Sequence, residues 1–566
     1  MIFPKKSTKF FLIIGIFFLL FYWADIKAAN VGDYINFKVG KDFEVNEKSE
    51  VSAILVKNAP NLYFYVEKSW WNSQVPAKQN DILANLNNLS YEFDSKIYPT
   101  LTSVFGQEWK PGVDGDNKIV ILFHSIKQDA GGYFRSADEY IKIQVPDSNE
   151  REMIYLPVAD IDSSKLKILL AHEFVHLITF NQKDKMQNVQ EEVWLNEARA
   201  DYSSTILGYD DSFEGSNLQK RVRDFLEKPS DSLTEWQKTK HDYAVASVFT
   251  HYLVDHYGIS VLSDSLKLKS IGIDSINEVL LRVGYKENFS EIFTDWTIAV
   301  IINDCSYDLK YCYLNKNLTN LRINPTLNFL PLTGNSSLSV TNITKNWSGN
   351  WQKIIGGKGN LKLEFSSLAG LNFQVPYIIF DKNNNYSIEL LQLDKNEKGE
   401  INIEDFDLKY NSLIIMPSLQ TKISGFNGLE FTYPYTFTVS IKGEEQEDPL
   451  LIQKLLEQIE SLKKQIAALQ AKNNGQNQNN SLCKQLNNNL YFGVLINNEV
   501  RCLQQFLKDQ GYQIYPEGLV TGNFGNLTKS AVIRFQGKYG IIQTGFVGIL
   551  TRTKINLLLN NFRDEN

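Results

Sequence analysis

Short β-rich runs at residues 51–55, 62–66, 118–123 and 153–156 end at turn or charged residues, a pattern that predicts strands. Between the second and third runs, Ile82, Leu83, Leu86, Leu89 and Phe93 recur at helical spacing, which predicts a helix within 80–105. From residue 163 to about 320 the spacing turns mainly helical. A mixed half followed by a helical half predicts an α+β layout for residues 30–322. Strand-like runs with Asn, Gly and Ser turns then fill 323–445, as at 361–365, 377–380 and 431–440, and predict a β-sandwich-like accessory domain. Within it, Asp394 to Asp405 has the look of an EF-hand loop. Lys398 at a ligand position and Asp405 in place of the bidentate Glu exclude that, and a polar hairpin turn is expected instead.

The pattern changes again at 446–481. Ile452, Leu455, Ile459, Leu462, Ile466 and Leu469 follow a 3-4-3-4-3 spacing, with Ile and Leu placed as in a parallel two-stranded coiled coil. A homodimer through 452–469 and a single helical stalk both fit this seam. A Gln/Asn/Gly linker follows at 473–480. Residues 482–566 form a small helical unit, with helical spacing at 500–507 and 531–535. Leu503-Gln504-Gln505-Phe506-Leu507, Gly522-x-Phe524-Gly525-x-x-Thr528 and Ala531-Val532-x-x-Phe535-Gln536 carry a resemblance to the small three-helix peptidoglycan-binding domain. That resemblance implies attachment to cell-wall glycan. A shorter echo of the glycine turn stands at Thr544-Gly545-Phe546-Val547-Gly548.

Composition narrows the setting. The net charge is -7 and no long basic run occurs beyond the N-terminus, so nucleic acid lacks its electrostatic footprint. Lys5, Lys6 and Lys9 precede an apolar stretch at 10–24 and the small residues Ala28 and Ala29, so 1–29 reads as a signal peptide or an uncleaved signal anchor. Both place the rest of the chain outside the cytoplasm. The cysteines fall into two local pairs, Cys305 with Cys312 and Cys483 with Cys502. In an oxidising compartment these predict two short disulfides.

The candidate chemistry lies in His172-Glu173-Phe174-Val175-His176, which follows a strongly helical apolar run. Positions i and i+4 share a helix face, so both imidazoles face one ion, and Glu173 sits about 100° round the helix, within reach of a water there. With six His and 65 acidic residues in 566, random order yields such a pattern under about 0.01 times per chain. Catalytic zinc takes three protein ligands. Thr179 and Gln182 stand where a closely following third ligand pattern would need Gly and His, so the third ligand is sought in Trp194-Leu195-Asn196-Glu197-Ala198-Arg199-Ala200-Asp201. Glu197 is the candidate ligand. Asp201, one turn later, is the expected acceptor for the free N–H of a metal-binding histidine, His172 first. His241 and Tyr243 open the next strong helix and are candidates for stabilising an oxyanion, with Tyr243 preferred because a phenol keeps its proton at neutral pH. Packing roles fit either residue. His251 and His256 read as structural, His124 closes a strand, and Gly131-Gly132 is a candidate open edge for a peptide.

This arrangement resembles the gluzincins, the thermolysin-like zinc peptidases. Ala171 to Ile178 together with Trp194-Leu195-Asn196-Glu197 is similar to the hyicolysin family, with Gly131-Gly132-Tyr133-Phe134 and 149–155 in keeping. The resemblance implies a zincin-like domain, one catalytic Zn2+ on His172, His176 and Glu197, Glu173 as base, and protein or peptide substrates. A secreted, wall-tethered endopeptidase is the leading expectation. The alternatives are a peptidase or amidase directed at peptidoglycan itself, and a non-catalytic adhesin on the same scaffold.

Overall fold

The computed structural model describes residues 30–127, 131–332, 334–426, 428–442, 457–460, 462–464, 485–494 and 497–561. The signal segment and most of the 452–469 seam lie outside them. Residues 457–460 and 462–464 are helical, with Ile459 and Leu462 exposed. The chain divides into two compact units, Met1–Gln446 and Glu447–Asn566.

The first unit opens with a six-stranded sheet: β1 (Tyr34–Lys38), β2 (Glu50–Asn58), β3 (Leu62–Glu67), β4 (Ile119–His124), β5 (Tyr133–Phe134) and β6 (Met153–Pro157), in spatial order β1-β2-β3-β4-β6-β5. The pairs β3–β4 and β4–β6 are parallel, and β5 closes the edge antiparallel to β6. Every residue of β4 is buried, as expected for a central strand covered on both faces. The helices follow as α1 (Lys68–Ser73), α2 (Pro76–Glu92), α3 (Tyr98–Phe105), α4 (Leu166–Thr179), α5 (Val193–Ile206), α6 (Asn217–Glu227), α7 (Lys240–Tyr257), α8 (Ser260–Leu266), α9 (Gly272–Val283) and α10 (Phe289–Ile302). The helix expected within 80–105 is therefore two, joined by a π-helical turn at Phe93–Ile97. Both α7 and α10 start at capping boxes, Thr239 with Asp242 and Asn288 with Glu291, which satisfy their first free amides.

The strand-rich region follows as β7 (Thr326–Leu330), β8 (Ser336–Thr344), β9 (Gln352–Gly356), β10 (Gly359–Ser367), β11 (Phe373–Gln374), β12 (Pro376–Asp381), β13 (Tyr386–Leu390), β14 (Lys398–Phe406), β15 (Tyr410–Ile415), β16 (Ser418–Leu419) and β17 (Tyr433–Lys442). Strands β13, β12, β15, β9 and β7 form one group and β14, β10, β17 and β8 another, linked by one parallel pairing at Phe406 and Tyr410. Leu413 and Ile415 from the first group and Leu363, Phe437 and Val439 from the second share one core. Asp394 accepts the amides of Asn396 and Lys398 and so closes its own turn, as the polar-turn reading requires. β13 and β14 do not pair as a hairpin across it, because β13 pairs β12 and β14 pairs β10. This region also joins the helical core. Trp347 packs edge-on against Phe289 and Phe293, and the indole N–H of Trp351 donates to the carbonyl of Thr297 at 2.8 Å.

Cys305 and Cys312 form the expected short disulfide. Cys502 is disulfide-bonded, while Cys483, its expected partner, lies outside the described residues.

The second unit has helices α11 (Asn498–Asp509), α12 (Asn526–Lys538) and α13 (Ile549–Asn561). Two buried glutamines explain the repeated glycine turn. Gln504 accepts the amides of Thr521 and Gly522 and donates to Asn523 O and Thr528 Oγ1. Gln536 accepts the amide of Gly545 and donates to Phe546 O and Thr551 Oγ1. Each side chain satisfies a turn and the following helix at once. Replacing it with a near-isosteric apolar residue leaves those groups unpaired.

Buried charge fixes the start of α5. Arg199 pairs with Glu191 at 2.7 Å, Lys183 lies 3.6 Å from the same oxygen, and Gly272 N–H donates to the other oxygen at 2.8 Å. Lys183 also donates to the carbonyls of Ser265, Leu268 and Ser270. Burial raises the Glu191 carboxyl pKa, but Arg199 and Lys183 outweigh it and hold it below its ordinary value. Glu191→Gln should therefore cost about 3–5 kcal/mol at neutral pH, by stranding two buried cations. The native carboxyl titrates below the unfolded one, so this stabilisation is present above the unfolded value and lost as pH falls through the folded one. Wild-type and variant urea midpoints, compared from pH 7 downward, should converge in acid.

Candidate metal centre

Helix α4 packs against α5, and the three candidate ligands meet at that seam. His172 and His176 project from one face of α4, their ring centroids 5.0 Å apart. Glu197 Oε2 lies 3.2 Å from His172 Nε2 and 3.7 Å from His176 Nε2. One atom from each of the three residues falls within 4.8 Å of the others. Among the described residues, no other such group of His, Cys, Asp or Glu occurs.

The electrostatics follow from this crowding. Burial works against charge on His176, yet Glu197, Glu173 and Asn196 overcome it and raise the imidazole to about 9. Burial likewise opposes charge on Glu197, and the two histidines more than reverse it, holding its carboxyl far below the ordinary range. Glu173 moves the other way. Its burial dominates and raises its carboxyl above the ordinary value, with the histidines opposing and Glu197 adding. Two neighbouring carboxylates with opposite shifts give one group suited to holding negative charge and one suited to holding a proton.

Asn196 is the positioning residue that the sequence did not single out. Its Oδ1 lies 3.0 Å from His176 Nδ1, so it accepts that N–H and leaves Nε2 free to face Glu197. It immediately precedes Glu197, and that adjacency was the available signal. Asp201 departs from expectation. Its Oδ1 accepts from Arg221 Nε at 3.0 Å, Arg221 Nη2 at 2.7 Å and Asn217 Nδ2 at 2.9 Å. No hydrogen bond joins it to His172 among the described residues, although the two are close enough for their charges to interact. The cause is α6, whose Arg221 lies beside α5 and takes the carboxylate. Nothing in the sequence marks Arg221.

Tyr243 is brought to the site. Burial first, then the charges of Glu197 and Glu173, push its phenol well above its ordinary pKa, while Arg221 lies 4.7 Å over its ring. His241 turns elsewhere, with Nε2 3.8 Å from Glu227 Oε1 and no hydrogen bond at that nitrogen. Half-buried at the helix start, it lies towards Glu227 of α6 and not the ligand seam. His124 is buried against Tyr133, 3.0 Å from its hydroxyl, and burial lowers it to about 4. His251 packs on Tyr202, and His256 meets the carbonyl of Cys312.

Gly131-Gly132 leads into edge strand β5, and Gly132 stands against the site. At φ +150° it adopts a backbone that suits glycine, and a Cβ there would lie 3.0 Å from Tyr155 O and 3.2 Å from Glu173 Oε1.

The donor set is two imidazole nitrogens and one carboxylate oxygen, the combination that suits zinc with a position left open. Glu197 Oε2 is buried without a hydrogen-bond partner. The residues present therefore fit a zinc ion.

Residues 497–555 match a family model described as "Putative peptidoglycan binding domain". The second unit carries a peptidoglycan-binding domain. No curated protein matches the chain. Solved structures similar to parts of it include the Yersinia pseudotuberculosis-derived mitogen, at 11% identity and TM-score 0.15, covering 20% of this chain and 91% of that one. The pre-peptidase C-terminal domain of Bacillus anthracis collagenase gives 11% identity and TM-score 0.15, covering 20% and 96%. Aeromonas hydrophila PliG, a periplasmic lysozyme inhibitor, gives 9% and 0.15, covering 21% and 100%. Likenesses this slight carry nothing about the rest of the chain.

Asn196→Ala should weaken metal binding about 10–100-fold, the usual effect of removing a hydrogen-bond partner from a metal-binding histidine. Competition with a chelator of known affinity measures it. Gly132→Ala should crowd Glu173 and lower melting temperature, read by calorimetry beside an alanine variant at exposed Gly215.

Proposed function

We propose that this chain is a zinc-dependent endopeptidase acting outside the cytoplasm and held at the cell wall by its C-terminal domain. The convergence of His172, His176 and Glu197, with Glu173 beside them, is the observation that carries the reading. A zinc ion held there would supply Lewis acidity towards a scissile carbonyl and towards water.

The chain's own groups divide the remaining work. Asn196 fixes the His176 tautomer. Glu173, its proton affinity raised by burial, takes the proton of the attacking water on its carboxylate and later delivers it to the leaving amine. Tyr243 keeps its proton and donates to the oxygen on which negative charge develops. The edge of β5 offers backbone groups with which an extended peptide pairs as a further strand.

The peptidoglycan-binding domain supports a second reading of the substrate, in which cross-bridge peptides of the wall are cut. The same residues serve both, since the bond class is shared.

Glu173→Gln should keep the metal and lower cleavage of unfolded casein by about 10²–10⁴-fold, the usual worth of a general base. Metal analysis and casein proteolysis on wild type and variant check this together. Metal without casein cleavage in wild type, but with new free amino groups appearing in isolated peptidoglycan, would favour the wall-directed reading. Absence of bound metal would overturn both.

A further inference from the structure

Away from the His172–His176–Glu197 cluster, two carboxylates are buried close to one another, and among the described residues neither forms an ion pair. Glu139 ends a short 3-10 turn after β5 and is fully buried; Glu152 immediately precedes β6 and is 3% exposed. Glu152 Oε1 accepts the amide of Val113 at 2.8 Å. The other three oxygens, Glu139 Oε1, Glu139 Oε2 and Glu152 Oε2, are buried and meet no N–H or hydroxyl donor among the described residues; the two carboxyl groups reach only one another, within hydrogen-bonding range. The two side chains lie close enough to act directly on one another, and burial followed by that mutual repulsion pushes Glu139 far above its ordinary pKa. Burial and nearby Asp114 raise Glu152 to about 7.

The neighbouring charges deepen the deficit. Asp138, next to Glu139, already has its own partners in Arg135, Tyr155 and Asn149, so Arg135 is committed. Lys185 acts on Glu139 only as a minor opposing charge and lies 3.4 Å over the ring of Trp109. Room is also kept for Glu152. Gly112, at φ +88°, packs so tightly on its carboxylate that any Cβ would overlap it.

Two buried carboxylates this close keep a proton between them or hold a cation. A shared proton would bridge one pair of oxygens and leave the third unsatisfied. A hard divalent cation takes several carboxylate oxygens at once, including bidentate ones, and cancels both charges.

We propose that Glu139 and Glu152 hold a calcium ion at a structural site distinct from the His172–His176–Glu197 centre. The site joins the 112–114 turn, the segment after β5 and the start of β6. Because β5 leads from Gly132 beside Glu173, the ion braces the sheet edge next to the reactive carboxylate. Extracellular calcium sites commonly bind at about 10⁻⁴–10⁻³ M, a range suited to this setting.

The test is calcium binding to the full-length protein, with zinc supplied throughout, by equilibrium dialysis with radioactive calcium and by melting temperature against calcium chloride from 0 to several millimolar. The expected result is one calcium per chain and a saturable rise in melting temperature, both abolished in Glu139→Gln and in Glu152→Gln, with zinc content unchanged. The Gln variants remove a buried charge and keep side-chain size, so they should fold without calcium. Absence of bound calcium in wild type overturns the proposal, as does equal binding by both variants. A wild-type melting temperature indifferent to calcium, but rising as pH falls through 7 and flattened in Glu139→Gln, would assign the pair a shared proton instead.

Discussion

The α4–α5 seam depends on holding two imidazoles and two carboxylates, largely withdrawn from water, in a fixed relation. Desolvation opposes charge on His176, Glu173 and Glu197, and the opposite charges of His176 and Glu197 offset it. Helix geometry sets half of the arrangement, because residues four apart on α4 stack towards one side. The other half comes from α5, whose position is held by Glu191, Arg199 and Lys183 and by the strand and helices packed behind it. A shift of α5 by a fraction of a turn would carry Glu197 off the common axis and leave the histidines facing an empty space.

The sequence was most legible where periodicity and chemistry coincide. His172, Glu173 and His176 declare a helix face and a donor set together, and Glu197 follows from the need for a third donor on a nearby helix. Strands β2, β3, β4 and β6 could be read because buried β-branched and aromatic runs end at polar turns. Edge strand β5 could not, since two residues carry no period. Asp201 was given a histidine partner because spacing along α5 is visible in the sequence. Its actual partner, Arg221, comes from α6, and the packing of α6 beside α5 leaves no local trace. Between His241 and Tyr243 the sequence favours Tyr243 only by its chemistry, since nothing in it shows which side chain faces the ligands. Two positions on a helix start differ by about 200°, and only the packed neighbours decide which turns inward.

Buried polar groups do different work in the two units. In the second, Gln504 and Gln536 act as repeated internal braces, each converting a glycine turn that would otherwise leave amides unsatisfied into a fixed joint. The glycine echo is thus structural in origin, and the recognition surface must be looked for on side chains around that frame. In the first unit, burial pushes Glu173 towards its neutral form while the neighbouring histidines hold Glu197 charged, so adjacent carboxylates are set apart in proton affinity.

The Trp347 contact bears on how the molecule can be divided. Composition suggests cutting near residue 323, between helical and strand-rich regions. Yet Trp347 packs on Phe289 and Phe293 and Trp351 bonds the carbonyl of Thr297, all within the core that also holds the helices carrying the candidate ligands. A fragment ending at that composition break would leave an aromatic basin open to solvent, and a shortened chain made for biochemical work should instead run on through Lys442, the last residue of β17.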